Sequence, residues 1–316
     1  MLDFDVIPIP VDFAVPPVNA VIIFDEPLTV LDPGPRQEKT FALLDEALKS
    51  RGKNLKNVKR ILLTHTHVDH FGGAAEIVRL SGAEVFVHPD DAAKARLGRN
   101  EKSSRVMKKF LLSHGVPGSY TRYIDLFFEK SARYQEPLEK ISFYPAEIPF
   151  SNGTLRVHHT PGHTPGGVVF YEEASKTLFS GDTLLEHITP NPVFEENEAG
   201  ERFPALMRFR ETLGKLSAFD FKLIVPGHGG CFSDFAGLKA RYLSGWVKRA
   251  QKILCLISEQ KEITAYELAR LLFRQLDNFN IFLAISEVVG YYDWLSREGK
   301  ISVFEHQGQI FAQVRD

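Results

Sequence analysis

The chain has 316 residues, 44% of them hydrophobic and 25% charged, with a formal net charge of −2 and a pI near 6.6. This is the composition of a globular protein able to bury a large core, and it gives no general electrostatic attraction for nucleic acid or an anionic membrane. Two cysteines, Cys231 and Cys255, exclude a disulfide framework, and no apolar run approaches the roughly 20 residues that a membrane span needs.

The opening MLDFDVIPIPVDF carries aspartates and prolines but no basic residue, unlike a secretory signal or a transit peptide. A soluble, cytoplasmic protein is expected. Residues 4–9 and 18–24 predict short strands around the Pro10–Pro17 loop, and Leu28–Leu31 predicts a third, ending at Asp32-Pro33-Gly34. An amphipathic helix is predicted over 37–51, a strand over Lys59–Thr64, a helix over 73–81, a strand over Ala83–Val87 and a short helix near 90–97. This alternation points to an α/β layered fold.

Residues 98–140 interrupt the rhythm. Ser103 and Ser104 are candidate caps for a helix running through Val106, Phe110 and Leu111 to His114-Gly115, and a second helix is expected after Pro117. The segment is aromatic-rich and reads either as an insertion packed on itself or as a lid over a site. From Ile141 the pattern is β-rich, with runs at 154–158, 167–171 and 177–180. Helix 204–218 and strand Leu223–Val225 follow, and the two halves suggest a loosely duplicated layout. A long connector helix is expected over 234–258. The final segment predicts a helix opening at Ile263-Thr264, with Glu267 in capping-box position, a helix over 280–298, and strands 301–305 and 309–314 about Gln307-Gly308. Helix, helix and hairpin outline a winged helix.

The chemistry centres on Thr64-His65-Thr66-His67-Val68-Asp69-His70-Phe71-Gly72-Gly73. Here a strand delivers three imidazoles and a carboxylate to its C-terminal end, then turns into a helix. Histidine and aspartate are ligands for borderline metals such as zinc. Three further strand ends supply candidates to complete such a site: His163 in Thr160-Pro161-Gly162-His163-Thr164-Pro165-Gly166-Gly167, Asp182 in Ser180-Gly181-Asp182-Thr183, and His228 in Pro226-Gly227-His228-Gly229.

With those residues in place, the chain resembles the metallo-β-lactamase-fold hydrolases over roughly residues 15–235. The family pattern HxHxDH, lone His, lone Asp, last His is met by His65, His67, Asp69, His70, His163, Asp182 and His228. The resemblance implies a four-layer αββα fold over 1–235, with 98–140 inserted, followed by a connector and a small winged-helix-like domain over 236–316. It implies two divalent ions, zinc first, with iron or manganese as alternatives. His65, His67 and His163 would hold one ion, Asp69, His70 and His228 the other, with Asp182 bridging. A hydroxide shared between the ions would be the nucleophile, making Asp69 and Asp182 catalytic as well as ligating. Asp32 matches a further family position and would orient a ligand imidazole, although an Asp-Pro-Gly turn alone would also favour it. His187, in the loop after Asp182, is a candidate for substrate contact or proton donation. His88, His114, His158, His159 and His306 read as structural polar groups, and Cys231 as a packing residue.

The loop Leu184–Pro192 and the tail differ from those of the classical hydroxyacylglutathione hydrolases, which share the TPGHTPG and GDTL motifs. The tail resembles instead that of the subgroup containing the β-lactamase-like endoribonuclease. Residues 246–316 hold nine Lys/Arg and nine Asp/Glu, so a nucleic-acid partner is disfavoured. A packing or homodimer-forming role suits the tail better. The expected substrate is a small ester or acyl thioester, acyl-CoA-like, to which the aromatic insertion would offer an apolar wall. The alternative is a metal-dependent endoribonuclease, with Arg99, Lys102, Arg105, Lys108 and Lys109 as its basic patch.

Overall fold

The structure, a computed structural model, describes residues 1–11, 16–98, 100–197, 200–274, 276 and 280–315. Arg99 of the expected basic patch lies outside the described residues. Two compact units emerge, each assembled from three stretches of chain: Met1–Gly98, Lys130–Pro190 and Ser217–Phe235 form the first, and Arg99–Glu129, Asn191–Leu216 and Ala236–Asp316 the second.

The first unit is built on two sheets. One has six strands in sequence order: β1 (Phe4–Ile9), β2 (Val18–Ile23), β3 (Thr29–Leu31), β4 (Arg60–Leu62), β5 (Glu84–Val87) and β6 (Ser142–Phe143). From β3 to β6 these strands run parallel. The other sheet has five: β7 (Glu147–Pro149), β8 (Thr154–His159), β9 (Val168–Glu172), β10 (Thr177–Gly181) and β11 (Leu223–Pro226), with β10 and β11 parallel. β2 is buried along its whole length, because both of its faces meet core. Val21 and Ile23, with Leu31 and Leu62, pack against Leu155, Val168, Phe170 and Phe179 of the second sheet. Ala20 and Ile22, with Val30 and Ile61, face helices α1 (Glu38–Lys49) and α3 (Ala74–Ser81) through Leu44, Leu48, Ala74 and Ile77. Burying each such Val, Ile or Leu contributes about 1.5–3 kcal/mol. Helix, sheet and sheet are therefore layered within this unit, completed by the short helices α2 (Val68–Phe71) and α4 (Ala92–Leu97).

The second unit joins the inserted helices to the C-terminal segment. It contains α5 (Glu101–Ser113), most of α6 (Thr121–Ala132), α7 (Ala205–Leu216), nearly all of α8 (Phe235–Ser258), α9 (Ala265–Leu272) and α10 (Asn280–Arg297). Its sheet has the order β12 (Ile263–Thr264), β14 (Gln309–Val314), β13 (Ile301–His306). The cap of α5 is Asn100, whose side chain accepts from Ser103 N at 3.1 Å, and both expected serine caps lie inside the helix. Thr264 and Glu267 form the reciprocal capping box at α9. Gly115, at φ +89°, sits against Thr264, where a Cβ would come within 2.6 Å of the hydroxyl. The neighbouring His114 carbonyl accepts from Tyr266 N at 3.0 Å.

α10 is the core of this unit. Ile281, Phe282, Ile285, Val288, Val289, Tyr291, Tyr292, Trp294 and Leu295 are all buried, which leaves no open face, the mark of an internal helix. A groove of about 560 Å³ at α5 and α6 is lined by Asn100, Glu101, Ser104, Arg105, Lys108, Asp125 and Phe128. Its lining is polar and charged except for Phe128, and Lys108 is paired with Asp125. The apolar acyl wall expected of the insertion is not what this groove presents. Among the described residues, no helix is long and apolar enough to cross a membrane.

Candidate metal centre

Each candidate ligand sits just beyond the end of a strand in the first unit. Asp32 follows β3, residues 65–70 follow β4, His163 lies in the turn between β8 and β9, Asp182 follows β10 and His228 follows β11. Because β3 and β4 are parallel neighbours, as are β10 and β11, these ends emerge together. A register shift between Phe179 and Gly181 re-aims the chain immediately before Asp182. The expected helix at 73–81 is preceded by a separate turn, α2, for which His67 is the N-cap residue. That turn carries Asp69 and His70 on adjacent positions.

The ligand atoms of His65, His67 and His163 lie within 4.8 Å of one another, as do those of Asp69, His70 and His228. Asp182 reaches both groups: Oδ2 is 3.5 Å from His163 Nε2 and 3.6 Å from His228 Nε2, and Oδ1 is 3.4 Å from His70 Nε2. Asp69 Oδ2 lies 3.4 Å from His228 Nε2. All seven side chains are thus gathered. The close approach depends on Gly227, where a Cβ would fall 2.3 Å from Asp182 Oδ1 and 2.7 Å from His70 Cε1.

Surrounding groups fix the imidazoles. Asp32, buried at φ +47°, accepts from Thr64 N at 2.7 Å through Oδ1. Its Oδ2 accepts from the Thr64 hydroxyl at 2.5 Å and lies 3.0 Å from His70 Nδ1. That hydroxyl, already donating to Asp32, is the acceptor for His65 Nδ1 at 3.0 Å. His228 Nδ1 faces the carbonyls of Pro16 and Pro17 at 2.9 and 3.1 Å. Each of these acceptors suits an Nδ1–H donor, which directs Nε2 towards the centre as the nitrogen that would ligate an ion once deprotonated. Asn19 holds the last turn by donating from Nδ2 to the carbonyls of Pro226 and Gly229.

The electrostatics are those of an ion site. Burial, together with His70, His67 and His163, pushes the pKa of His65 well below the usual imidazole range, so it is neutral. Burial opposes charge on His70 too, but Asp182 and Asp32 outweigh it and raise its pKa. Asp69 and Asp182 are held well below the usual carboxylate range. Desolvation raises both, and the neighbouring His228 and His70 more than reverse it. Three buried atoms, His65 Nε2, His70 Nε2 and Asp182 Oδ1, have no hydrogen-bond partner among the described residues. Each such orphan costs about 1–3 kcal/mol, a penalty that a cation between them would offset. Five imidazoles and two carboxylates also form the donor set expected of borderline divalent ions.

His187 is not part of this gathering. Its side chain is 82% exposed, with Glu186 Oε2 at 3.3 Å. A residue missed in the sequence matters more. Asp91, fully buried, accepts from Thr66 N and Oγ1, each at 3.0 Å, through Oδ2, and from Gly166 N at 3.0 Å through Oδ1, with Lys94 Nζ at 2.9 Å. It ties the loop bearing His65 and His67 to the loop bearing His163. The only local signal was an Asp pair after Pro89, and that reads as an ordinary helix start.

Comparison with known proteins settles the family. A model described as the metallo-beta-lactamase superfamily matches residues 14–228. The chain belongs to that superfamily. It is 25% identical to a probable metallo-hydrolase, YqjP, of Bacillus subtilis, over 98% of this chain and 97% of that one. It is 29% identical to hydroxyacylglutathione hydrolase GloC of Haemophilus influenzae, over 67% and 85%. The crystal structure of metallo-beta-lactamase family protein TTHA1429 from Thermus thermophilus matches with a TM-score of 0.84 at 24% identity, covering 99% and 98% of the two chains, a likeness of fold. The protein is thus a metallo-β-lactamase-superfamily hydrolase, with the superfamily's α/β fold and His/Asp clusters suited to divalent metal.

Proposed function

We propose that this chain is a dinuclear metal-dependent hydrolase of acyl thioesters. The observation that carries the reading is the pair of three-residue clusters sharing Asp182, with orphaned donor atoms buried between them. His65, His67 and His163 would hold one ion, Asp69, His70 and His228 the other, and Asp182 would span both. When bound, two divalent ions lower the pKa of water towards neutrality and polarise the oxygen of the bond under attack. The protein's part is to keep Asp182 and Asp69 ionised and the ring nitrogens aimed inward. Asp69, kept ionised by His228 and His70, would accept a hydrogen bond from the attacking water. Asp32 and the Pro16 and Pro17 carbonyls keep His70 and His228 in the ligating tautomer.

The leaving group separates thioesters from oxygen esters. A thiolate, from a thiol of pKa near 8.5, departs without a proton donor, whereas an alkoxide needs one. His187, the one donor that the sequence offered, is exposed, which suits a thiolate. The similarity to hydroxyacylglutathione hydrolase GloC points the same way, since an acylglutathione is a thioester. We read the C-terminal helices and three-stranded sheet as a winged-helix-like module whose role is packing. Burial of α10 supports this, because a groove-reading helix must present a face.

The test is a hydrolysis screen on protein of known metal content, setting acyl-CoA and acylglutathione thioesters against single-stranded RNA, with Asp182→Ala as the blank. Thioester turnover that vanishes in the variant is expected. RNA cleavage without thioester turnover would overturn the proposal.

A further inference from the structure

A second pair of imidazoles, with a carboxylate, gathers outside the seven-residue cluster. His88 follows β5 and caps the single turn Pro89–Asp91, its Nδ1 accepting from Asp90 N at 3.2 Å. His159 is the last residue of β8. The two rings stack with centroids 3.9 Å apart and planes at 16°. Asp90 Oδ2 faces both, 3.7 Å from His88 Nδ1 and 3.8 Å from His159 Nε2. One ligand atom from each of the three residues fits within a 4.8 Å span.

Two imidazolium rings cannot stack comfortably at that separation. Burial and the neighbouring His159 accordingly push the pKa of His88 down, so His88 offers a neutral ring at pH 7. The nitrogens facing Asp90 have modest occupations at present. His88 Nδ1 takes the Asp90 N–H bond already described, and His159 Nε2 donates to Pro165 O at 2.8 Å. Tetrahedral zinc holds nitrogen and oxygen at about 2.0–2.2 Å, which separates ligand atoms by roughly 3.3 Å. Closing from 3.7–3.8 Å requires Asp90 and His159, whose side chains are 54% and 39% exposed, to rotate. His159 leaves the stack and its bond to Pro165 O with its proton moved to Nδ1, and the ion takes the place of Asp90 N–H at His88 Nδ1. His88, only 19% exposed, is the fixed member.

We propose that His88, Asp90 and His159 form a surface site for a further borderline divalent cation of the zinc, nickel or copper class, with water completing its coordination. The site is one residue from Asp91, so its occupant would brace the two loops that Asp91 ties together. It does not depend on the proposed reaction, because it uses none of the residues assigned there.

The experiment uses the full chain, stripped with chelator, dialysed and titrated with Zn²⁺ alone by calorimetry, with stoichiometry checked by elemental analysis after equilibrium dialysis. The wild type is expected to bind one more equivalent than His159→Gln or Asp90→Asn. The corresponding step should weaken at least tenfold in each variant, with the tighter equivalents unchanged. Mg²⁺, which prefers all-oxygen octahedral sites, should not fill it. Both substitutions fall on half-exposed side chains, and circular dichroism with heat melts checks that each variant folds. Equal stoichiometry and affinity in the wild type and both variants would overturn the proposal.

Discussion

Asp91→Asn is the sharpest test of how the candidate centre is held. The two carboxylate oxygens divide the work: Oδ2 serves Thr66 N and Oγ1, and Oδ1 serves Gly166 N and Lys94. Asparagine keeps the shape but offers one oxygen, and its NH2 must face an N–H donor on one side or the other. Losing two hydrogen bonds to a charged acceptor costs about 1.5–3 kcal/mol each. Breaking a buried charged network by changing one member typically costs about 3–5 kcal/mol, so we expect roughly 4 kcal/mol of destabilisation in urea unfolding at pH 7. The same change frees the His65–His67 loop from the His163 loop, so metal affinity should fall about 10–100-fold in competition with a chelator. Lys94→Met is the contrast. Its side chain is one-third exposed, so water can replace the ammonium, and we expect about 1 kcal/mol. The pH dependence has a defined sign. Burial raises the Asp91 pKa, but Lys94, Thr66 and Gly166 bring it below the ordinary value of 3.8. Its stabilisation is therefore complete above about pH 4 and lost as the pH falls through the lowered value. Wild-type stability and metal affinity in Asp91→Asn, each within threefold, would refute the reasoning.

Gly227→Ala places a methyl 2.3 Å from Asp182 Oδ1, so metal binding should weaken at least tenfold by chelator competition while far-UV dichroism stays native. His187→Ala should leave kcat/KM within about twofold, since the side chain is 82% exposed. His114 is buried and its pKa is pulled down to about 4, first by desolvation and also by Arg202. Its unfolded value is about 6.5, so the stabilisation from its neutral form is whole above that pH and lost as the pH falls towards 4. We expect roughly 2 kcal/mol of that loss by pH 5. His114→Gln should therefore destabilise at pH 7 and much less at pH 5, and an equal effect at both would show that the ring does not titrate as described.

Which parts of the site could be read in the sequence follows from how local each constraint is. His65, His67, Asp69 and His70 fall within six residues, so spacing alone announces them. His163, Asp182 and His228 are far apart, but each sits between a short apolar run and glycine, which marks a strand end. Asp91 has no such context. Its partners Thr66 and Gly166 are 25 and 75 residues away, and three of its four contacts involve backbone N–H or lysine, which impose no recognisable residue pattern. The cap of α5 failed differently: Asn100 and Ser103 are both good N-cap types, and only the coordinates show which side chain accepts. His187 follows Asp182 closely in sequence, and five residues are enough for the loop to carry its side chain to an exposed position.

The tail shows how a charge count can mislead about cause. Counted as surface charge, Glu287 and Asp293 would repel a phosphate backbone. In the structure Asp293 is paired with Arg202, and Glu287 lies 3.6 Å from Arg249. Burial raises the pKa of both carboxyls while the arginines pull back. These acids therefore fasten α10 to the 191–216 segment and to α8, and their charge contributes little to the outer field. Trp294, with Arg210 stacked 3.7 Å from its ring centroid, does the same from the next position. Reversing either acid should therefore unfold α10 from its neighbours before it creates a basic surface. Burial of α10 would keep it from entering a groove whatever charge the tail carried, so adding lysines would leave that limit unchanged.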